Sequence, residues 1–242
     1  VTADVFNGKI YKTSIQNNSS VIIYDHTYGA NTAREDSTGS LWFTQSTENQ
    51  NEERLFGALD KAIPDGALYR LPISEDGTLS MPELILEDLY FANGVALSTD
   101  ESFVLVNETC MYRIQKYWLK GEKAGTSEVF IENLPGFPDN VSSNKEGIYW
   151  VALFNQRNNF VEMSSNKPFL RKMVLRLPES LQPQPLNHSY VLGIDEGGKV
   201  VHNLQYKAEE AYSPITSVKQ YESDLYFGSL THTGWGKIEA PK

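Results

Sequence analysis

Cysteine, histidine, basic charge, long apolar runs and helical periodicity are all in short supply in this 242-residue chain. A single cysteine, Cys110, excludes an internal disulfide and any cysteine-based zinc site. No stretch approaches the roughly 18 apolar residues of a spanning helix, and no charged, apolar and small-residue succession opens the chain. With 21 Lys and Arg against 31 Asp and Glu, the net charge is −10. That balance disfavours nucleic acid and anionic membrane as partners and leaves cations and neutral substrates open. No Gly-x-Ser-x-Gly elbow suggests a serine nucleophile. The chain starts on strand-like Val1-Thr-Ala-Asp4 without an initiator Met, and reads as a fragment.

What is abundant is strand signal: β-branched and aromatic runs bounded by Gly, Asp, Asn and Ser. One pattern recurs. Asn31 is followed eleven residues on by Trp42, Asn93 by Val104, and Asp139 by Trp150, each polar residue falling just before one strand and its eleventh successor in the next. Repetition of an oxygen-bearing side chain at one place in a repeated unit predicts blades that point ligands at a common axis. Around Asn93 the unit reads as four strands: Asn93 to Ser98, Phe103 to Glu108, Tyr112 to Leu119 and Glu128 to Glu132. The second and third strands recur five times, in Leu41-Trp-Phe-Thr44 with Gly66 to Arg70, in the copy just given, in Ile148 to Leu153 with Arg171 to Leu177, in Leu225 to Ser229 with Gly236 to Glu239, and in Val1 to Asp4 with Lys9 to Lys12. The first strand appears four times, near Asn31, Asn93, Asp139 and Ile215.

The expected fold is therefore all-β, a single six-bladed β-propeller domain over residues 1–242 built of four-stranded antiparallel blades, here lacking about the first blade and one inner strand. An open ring would expose unpaired edges, which is the reason for expecting more chain at the N-terminus. Long connections are expected at Gln45 to Pro64 and Phe154 to Lys167, as walls or lids of a site or as variable surface excursions. Sequons at Asn17, Asn18, Asn107 and Asn187 would become glycosylation sites in a secreted chain.

The runs Phe91-Ala-Asn-Gly-Val-Ala-Leu-Ser98, Phe103-Val-Leu-Val-Asn-Glu-Thr109, Tyr117-Trp-Leu-Lys-Gly121 and Pro135-Gly-Phe-Pro-Asp-Asn140, with Ile215-Thr-Ser-Val218 and Leu225-Tyr-Phe-Gly-Ser229, resemble the strictosidine synthase-like branch of the calcium-dependent propeller hydrolases. That superfamily includes gluconolactonase, regucalcin and paraoxonase, and the branch includes the adipocyte plasma-membrane-associated protein. The resemblance implies Ca2+ at the top of the central tunnel, held by Asn31, Asn93, Asp139 and, directly or as a brace, Asn140. A first-blade Glu ligand of the family has no match, because that region would precede Val1. The competing reading of each Asn or Asp is a side chain that caps a turn.

From the same resemblance the expected activity is that of a calcium-dependent hydrolase of esters or lactones, of arylesterase or lactonase type. Asp139 would be both ligand and catalytic base or nucleophile, and a small ester or lactone the partner. Thr216 falls where the synthase carries its catalytic Glu, and a hydroxyl cannot carry that proton near neutral pH; synthase activity is not expected. Thr216 and Ser217 read as tunnel-lining hydroxyls, and Phe154, Phe160 and Trp235 as candidates for an apolar substrate pocket. His26 and His232 match no family motif and read as surface or structural residues. The rival expectation is a propeller with a structural cation serving as a binding or scaffold module. Relatives in the branch are often secretory or membrane-anchored, so contact with a membrane would run through an N-terminal anchor outside this sequence.

Overall fold

Alternation of side chains along short extended runs commits this chain to sheets, and tight polar turns decide that neighbouring runs pair. The computed structural model describes residues 1–48, 63–74, 76, 80–157 and 187–241. Every strand among them pairs with a sequence neighbour, giving five antiparallel meanders arranged as a β-propeller. The first sheet is β1 (Thr2–Ala3), β2 (Lys9–Ser14) and β3 (Ser19–Asp25). The second is β4 (Ala33–Glu35), β5 (Leu41–Gln45), β6 (Gly66–Leu71) and β7 (Glu83–Leu89). The third is β8 (Ala92–Leu97), β9 (Phe103–Glu108), β10 (Arg113–Trp118) and β11 (Ser127–Ile131). The fourth is β12 (Gly136–Ser143), β13 (Ile148–Gln156), β14 (His188–Asp195) and β15 (Val200–Lys207), and the fifth is β16 (Ile215–Tyr221), β17 (Asp224–Ser229) and β18 (Gly236–Glu239).

Five sheets are seen among the described residues, as many as the expected ring leaves once its first blade is missing; a sixth is not seen among them, and the first and fifth have three strands. The opening sheet is the one without an inner strand: its three strands occupy the second, third and fourth places. The third strand of the fourth sheet is His188–Asp195, paired with β13 from Ile148↔Asp195 to Ala152↔Val191; residues 171–177, expected in that place, lie outside the described residues. Both segments alternate in a strand-like way, and only pairing with β13 distinguishes them. Phe154 consequently lies inside β13, and the long connection joins Gln156 to His188.

The turns between inner and second strands are closed by short acceptors. Asp36 Oδ1 receives the N–H of Thr38 and of Ser40, Asp100 Oδ1 that of Ser102, and Asn144 Oδ1 those of Glu146 and Ile148. Such side chains satisfy turn amides that a ladder would otherwise hold.

The second strands of the three middle sheets, β5, β9 and β13, are buried on both faces. Val104 and Val106 pack toward the second sheet with Trp42, Leu68 and Val95, while Phe103 and Leu105 pack toward the fourth with Tyr149, Val151 and Leu192. Trp150 and Ala152 turn the other way, onto Val218, Leu225 and Phe227 of the fifth sheet. A period of two, read on both faces, seats each sheet against the next and leaves the inner strands β4, β8, β12 and β16 in mutual contact. That convergence positions the site.

Candidate functional site

Each inner strand carries an irregularity at the same place. In β8 the partners run Ala92↔Glu108 then Val95↔Val106, so Asn93 and Gly94 together oppose Asn107. In β12 they run Pro138↔Leu153 then Val141↔Val151, so Asp139 and Asn140 oppose Ala152. Thr216 is the extra residue between Ile215↔Ser229 and Ser217↔Gly228. Ahead of β4, Asn31 N–H donates to Thr44 O and Thr44 N–H to Thr32 O, so two residues again meet one. A β-bulge re-aims side chains and frees one residue from the ladder, and four such bulges on adjacent inner strands bring their polar groups together. Asn93 and Asp139 thus lie within strands, not in the turns before them.

Hydrogen bonds tie the bulges to one another. Thr32 Oγ1 donates to Asn140 Oδ1 at 2.7 Å, joining the second sheet to the fourth across the width of the third. Asn140 Nδ2 donates to Asp139 Oδ1 at 3.1 Å and to Thr216 O at 3.0 Å. Asn107 Nδ2 donates to Asp139 O at 2.7 Å, and Thr44 Oγ1 to Asn93 O at 2.5 Å. Asn93 Nδ2 donates to Thr109 Oγ1 at 3.2 Å and Asn31 Nδ2 to Ser46 Oγ at 2.7 Å. Two carboxamide oxygens, Asn93 Oδ1 and Asn107 Oδ1, are buried without a partner. An unsatisfied buried acceptor costs free energy unless a donor or cation meets it.

Asp139 is half-buried. Burial pushes its carboxyl pKa up to about 7, opposed by hydrogen bonding from the Asn93 side chain. Among the described residues no group of three or more His, Cys, Asp and Glu side chains could hold a metal ion. A cation at these bulges would be held by amide, hydroxyl and carbonyl oxygens around the Asp139 carboxylate. That donor chemistry suits a hard, oxygen-preferring ion such as Ca2+ rather than zinc.

Asn31, Asn93, Asp139 and Asn140 are brought into this one network, with Thr216 joined through its carbonyl oxygen. Ser217 adjoins Thr216 in the same bulged segment, and Phe154 is partly buried in β13 just beyond the Leu153↔Pro138 pair. Trp235 is elsewhere: 68 % exposed, it packs on Tyr226 at 5.3 Å, on the face of β17 opposite Leu225 and Phe227. Phe160 lies outside the described residues. His26 is held by Gln45 Oε1 at 2.9 Å and packed among aromatic rings, burial lowering its pKa. His232 Nε2 accepts the Ser213 N–H at 3.3 Å and stacks on Tyr212. Both serve the packing. Asn107, fully buried and bonded to Asp139 O, is no glycosylation acceptor; its role as a link between sheets was missed in the sequence, as were those of Thr32, Thr44, Ser46 and Thr109. The one available signal was spacing, since Ser46 and Thr109 follow Asn31 and Asn93 by 15 and 16 residues.

Gly94 completes the geometry. A β-carbon there would stand 2.4 Å from Val141 N and 2.6 Å from Asn140 Cα, so the backbones of β8 and β12 touch where their bulges meet. Gly94→Ala should destabilise the fold by about 1–3 kcal/mol through overpacking against backbone, read as a lowered midpoint in urea with an unchanged slope.

The family model described as strictosidine synthase matches residues 31–122. A strictosidine synthase-like 10 protein of Arabidopsis thaliana is 40 % identical over 198 residues, covering 78 % of this chain and 51 % of its own. The adipocyte plasma membrane-associated protein of Mus musculus is 30 % identical over 196 residues, covering 78 % and 46 %. The chain thus spans about half the length of the curated relatives it matches. Among solved structures, a gluconolactonase from Xanthomonas campestris superposes with a TM-score of 0.59 at 16 % identity, over 93 % of this chain and 64 % of that one. A calcium-binding regucalcin from Agrobacterium tumefaciens does so with 0.55 at 14 %, over 96 % and 68 %. At those identities the structural likeness concerns the fold.

Proposed function

Because this chain belongs to the strictosidine synthase-like branch that also holds the adipocyte plasma membrane-associated protein, we propose that it is a calcium-dependent hydrolase of esters or lactones centred on the four bulges. The observation that carries the reading is the Asn93 carboxamide, whose oxygen is buried without a partner while its nitrogen serves Thr109. Asn31, Asn93, Asp139 and Asn140 would hold the cation. When bound, a divalent cation supplies positive charge against the oxyanion that develops as an ester or lactone carbonyl is attacked.

The chain's own groups do the rest. Asp139 Oδ1 receives the Asn140 amide, which orients the carboxylate that would take a proton from water. Asn107 anchors the Asp139 backbone from the neighbouring sheet, holding that carboxylate in place between turnovers. Thr216 and Ser217 on the bulged segment of β16, and Phe154 next to the Leu153↔Pro138 pair, would meet the substrate. Thr216 also argues against synthase chemistry, since its hydroxyl donates to Gly228 O and supplies no carboxylate.

A second reading has its own support. Asp139 is the one carboxylate, and no imidazole joins it, among the bulge residues; a site with a single proton carrier also suits a binding module with a structural cation. Calcium titration by calorimetry, with phenyl acetate and a γ-lactone assayed on the same sample, separates the two. The hydrolase reading expects Ca2+ binding and turnover that falls on chelation by about 10²–10³-fold, the scale of losing one oxyanion stabiliser. Binding without turnover on either substrate would favour the module, and an absence of binding would remove the cation from both.

A further inference from the structure

We propose that Ser46 and Thr109 are positioning residues that set the carboxamides of Asn31 and Asn93 with nitrogen bound and oxygen free, so that both oxygens can serve as cation ligands. This deepens the cation reading above and rests on it. A carboxamide can turn over without changing its outline, exchanging an acceptor for a donor. An Asn ligand for a cation therefore needs something to choose the orientation.

The choice is made the same way in two sheets. Thr109 Oγ1 lies 2.7 Å from Pro138 O and Ser46 Oγ lies 2.9 Å from Ala92 O. A backbone carbonyl can only accept, so each hydroxyl gives its one hydrogen to the next sheet. Each hydroxyl oxygen is then left as an acceptor, and what approaches it must be a donor: Asn93 Nδ2 at 3.2 Å and Asn31 Nδ2 at 2.7 Å. Asn93 Oδ1 is left without a partner. Asn31 Oδ1 has only Thr32 Oγ1 at 3.4 Å, whose hydrogen is directed to Asn140 Oδ1 at 2.7 Å.

The third case shows why the hydroxyl is there. Glu108 pairs with Ala92, the residue before Asn93, and Thr109 follows Glu108; Leu153 pairs with Pro138, the residue before Asp139, and Phe154 follows Leu153. Phe154 thus occupies the place of Thr109. A carboxylate presents oxygen whichever way it turns, and the sheet that carries Asp139 has no hydroxyl at that place. The same link joins neighbouring sheets, so the groups that orient the ligands also set the distance between one bulge and the next.

The test uses the 242-residue chain and two readouts: hydrogen exchange of the Asn93 side-chain amide by 15N NMR, assigned with Asn93→Asp, and Ca2+ affinity by calorimetry. Thr109→Val keeps the shape and removes the hydroxyl. It should speed exchange of that amide and weaken Ca2+ binding by about 10–100-fold, the usual scale for losing a partner that orients a metal ligand. Thr109→Ser should restore both, which a purely structural role for the Thr methyl would not do. Should Thr109→Val fail to fold, Ser46→Ala makes the same test on Asn31. An exchange rate unchanged by loss of the hydroxyl overturns the proposal. Faster exchange in a chain whose wild type binds no Ca2+ upholds the orientation of the amide and overturns the cation reading alone.

Discussion

Replacing Glu108 by alanine should destabilise the fold by about 3–5 kcal/mol, the range for removing one partner of a buried ion pair. Its side chain is completely buried at the end of β9. There it accepts the Tyr90 backbone N–H at 3.0 Å, the Arg113 Nη2 at 3.1 Å, the Gln115 Nε2 at 2.8 Å and the Arg113 Nε. Alanine would take the anion from the Arg113 guanidinium, whose side chain is 24 % exposed beside Glu108, and leave the Tyr90 amide without its acceptor. Glu108→Gln keeps an acceptor for Tyr90 and sheds the charge, so it should fall between wild type and Glu108→Ala. Equilibrium unfolding in urea gives the order, and near-wild-type stability for Glu108→Ala would show that the pair contributes little. The consequence reaches the site, because Asn107 and Thr109 flank Glu108 and carry the bonds to Asp139 O and Pro138 O.

Asp139→Asn should remove hydrolysis by about 10²–10³-fold and weaken Ca2+ binding, while leaving the chain folded. The substitution is nearly isosteric. It removes the anion on which the proposed site depends and replaces one of two acceptor oxygens by a donor, although Asn140 donates to this carboxyl. Stability should move the other way in calcium-free buffer. Because the folded pKa is raised, the unfolded chain ionises first as pH increases above about 4. The folded state is therefore penalised progressively until about pH 7, and the penalty is constant above that. A neutral amide escapes it, so the melting temperature of Asp139→Asn at pH 8 should equal or exceed that of wild type. Undiminished calcium-dependent hydrolysis by the variant would remove Asp139 from the mechanism, and a lower melting temperature would show that burial does not strain the carboxylate.

How far the sequence could be read differs from element to element. The strand at Phe103 to Glu108 and its partner near Arg113 to Trp118 were legible because alternation, tight turns and apolar runs are local properties of consecutive residues. The third strand of the fourth sheet was not, since two alternating segments follow β13 and the pairing that selects His188–Asp195 involves residues about forty positions apart along the chain. Asn93 reads as the first residue of a strand, and it does lie in β8; the bulge it forms with Gly94 is not a local property, because it exists only as β9 holds the register on either side of it.

The amino-acid order alone determined that this chain builds sheets, which residues close the turns, and that Asn31, Asn93 and Asp139 occupy equivalent places in a repeated unit. Those outcomes depend on periodicity and on the chemistry of single side chains. Tertiary structure decided which groups meet: that Thr32 reaches Asn140 across 108 positions of sequence, that Gly94 must be small because β12 backbone lies against it, and that two hydroxyls turn two carboxamides the same way. The physical reason is that a hydrogen bond between sheets requires a register and a separation that no residue carries by itself, and both are settled only when the apolar faces of neighbouring blades pack.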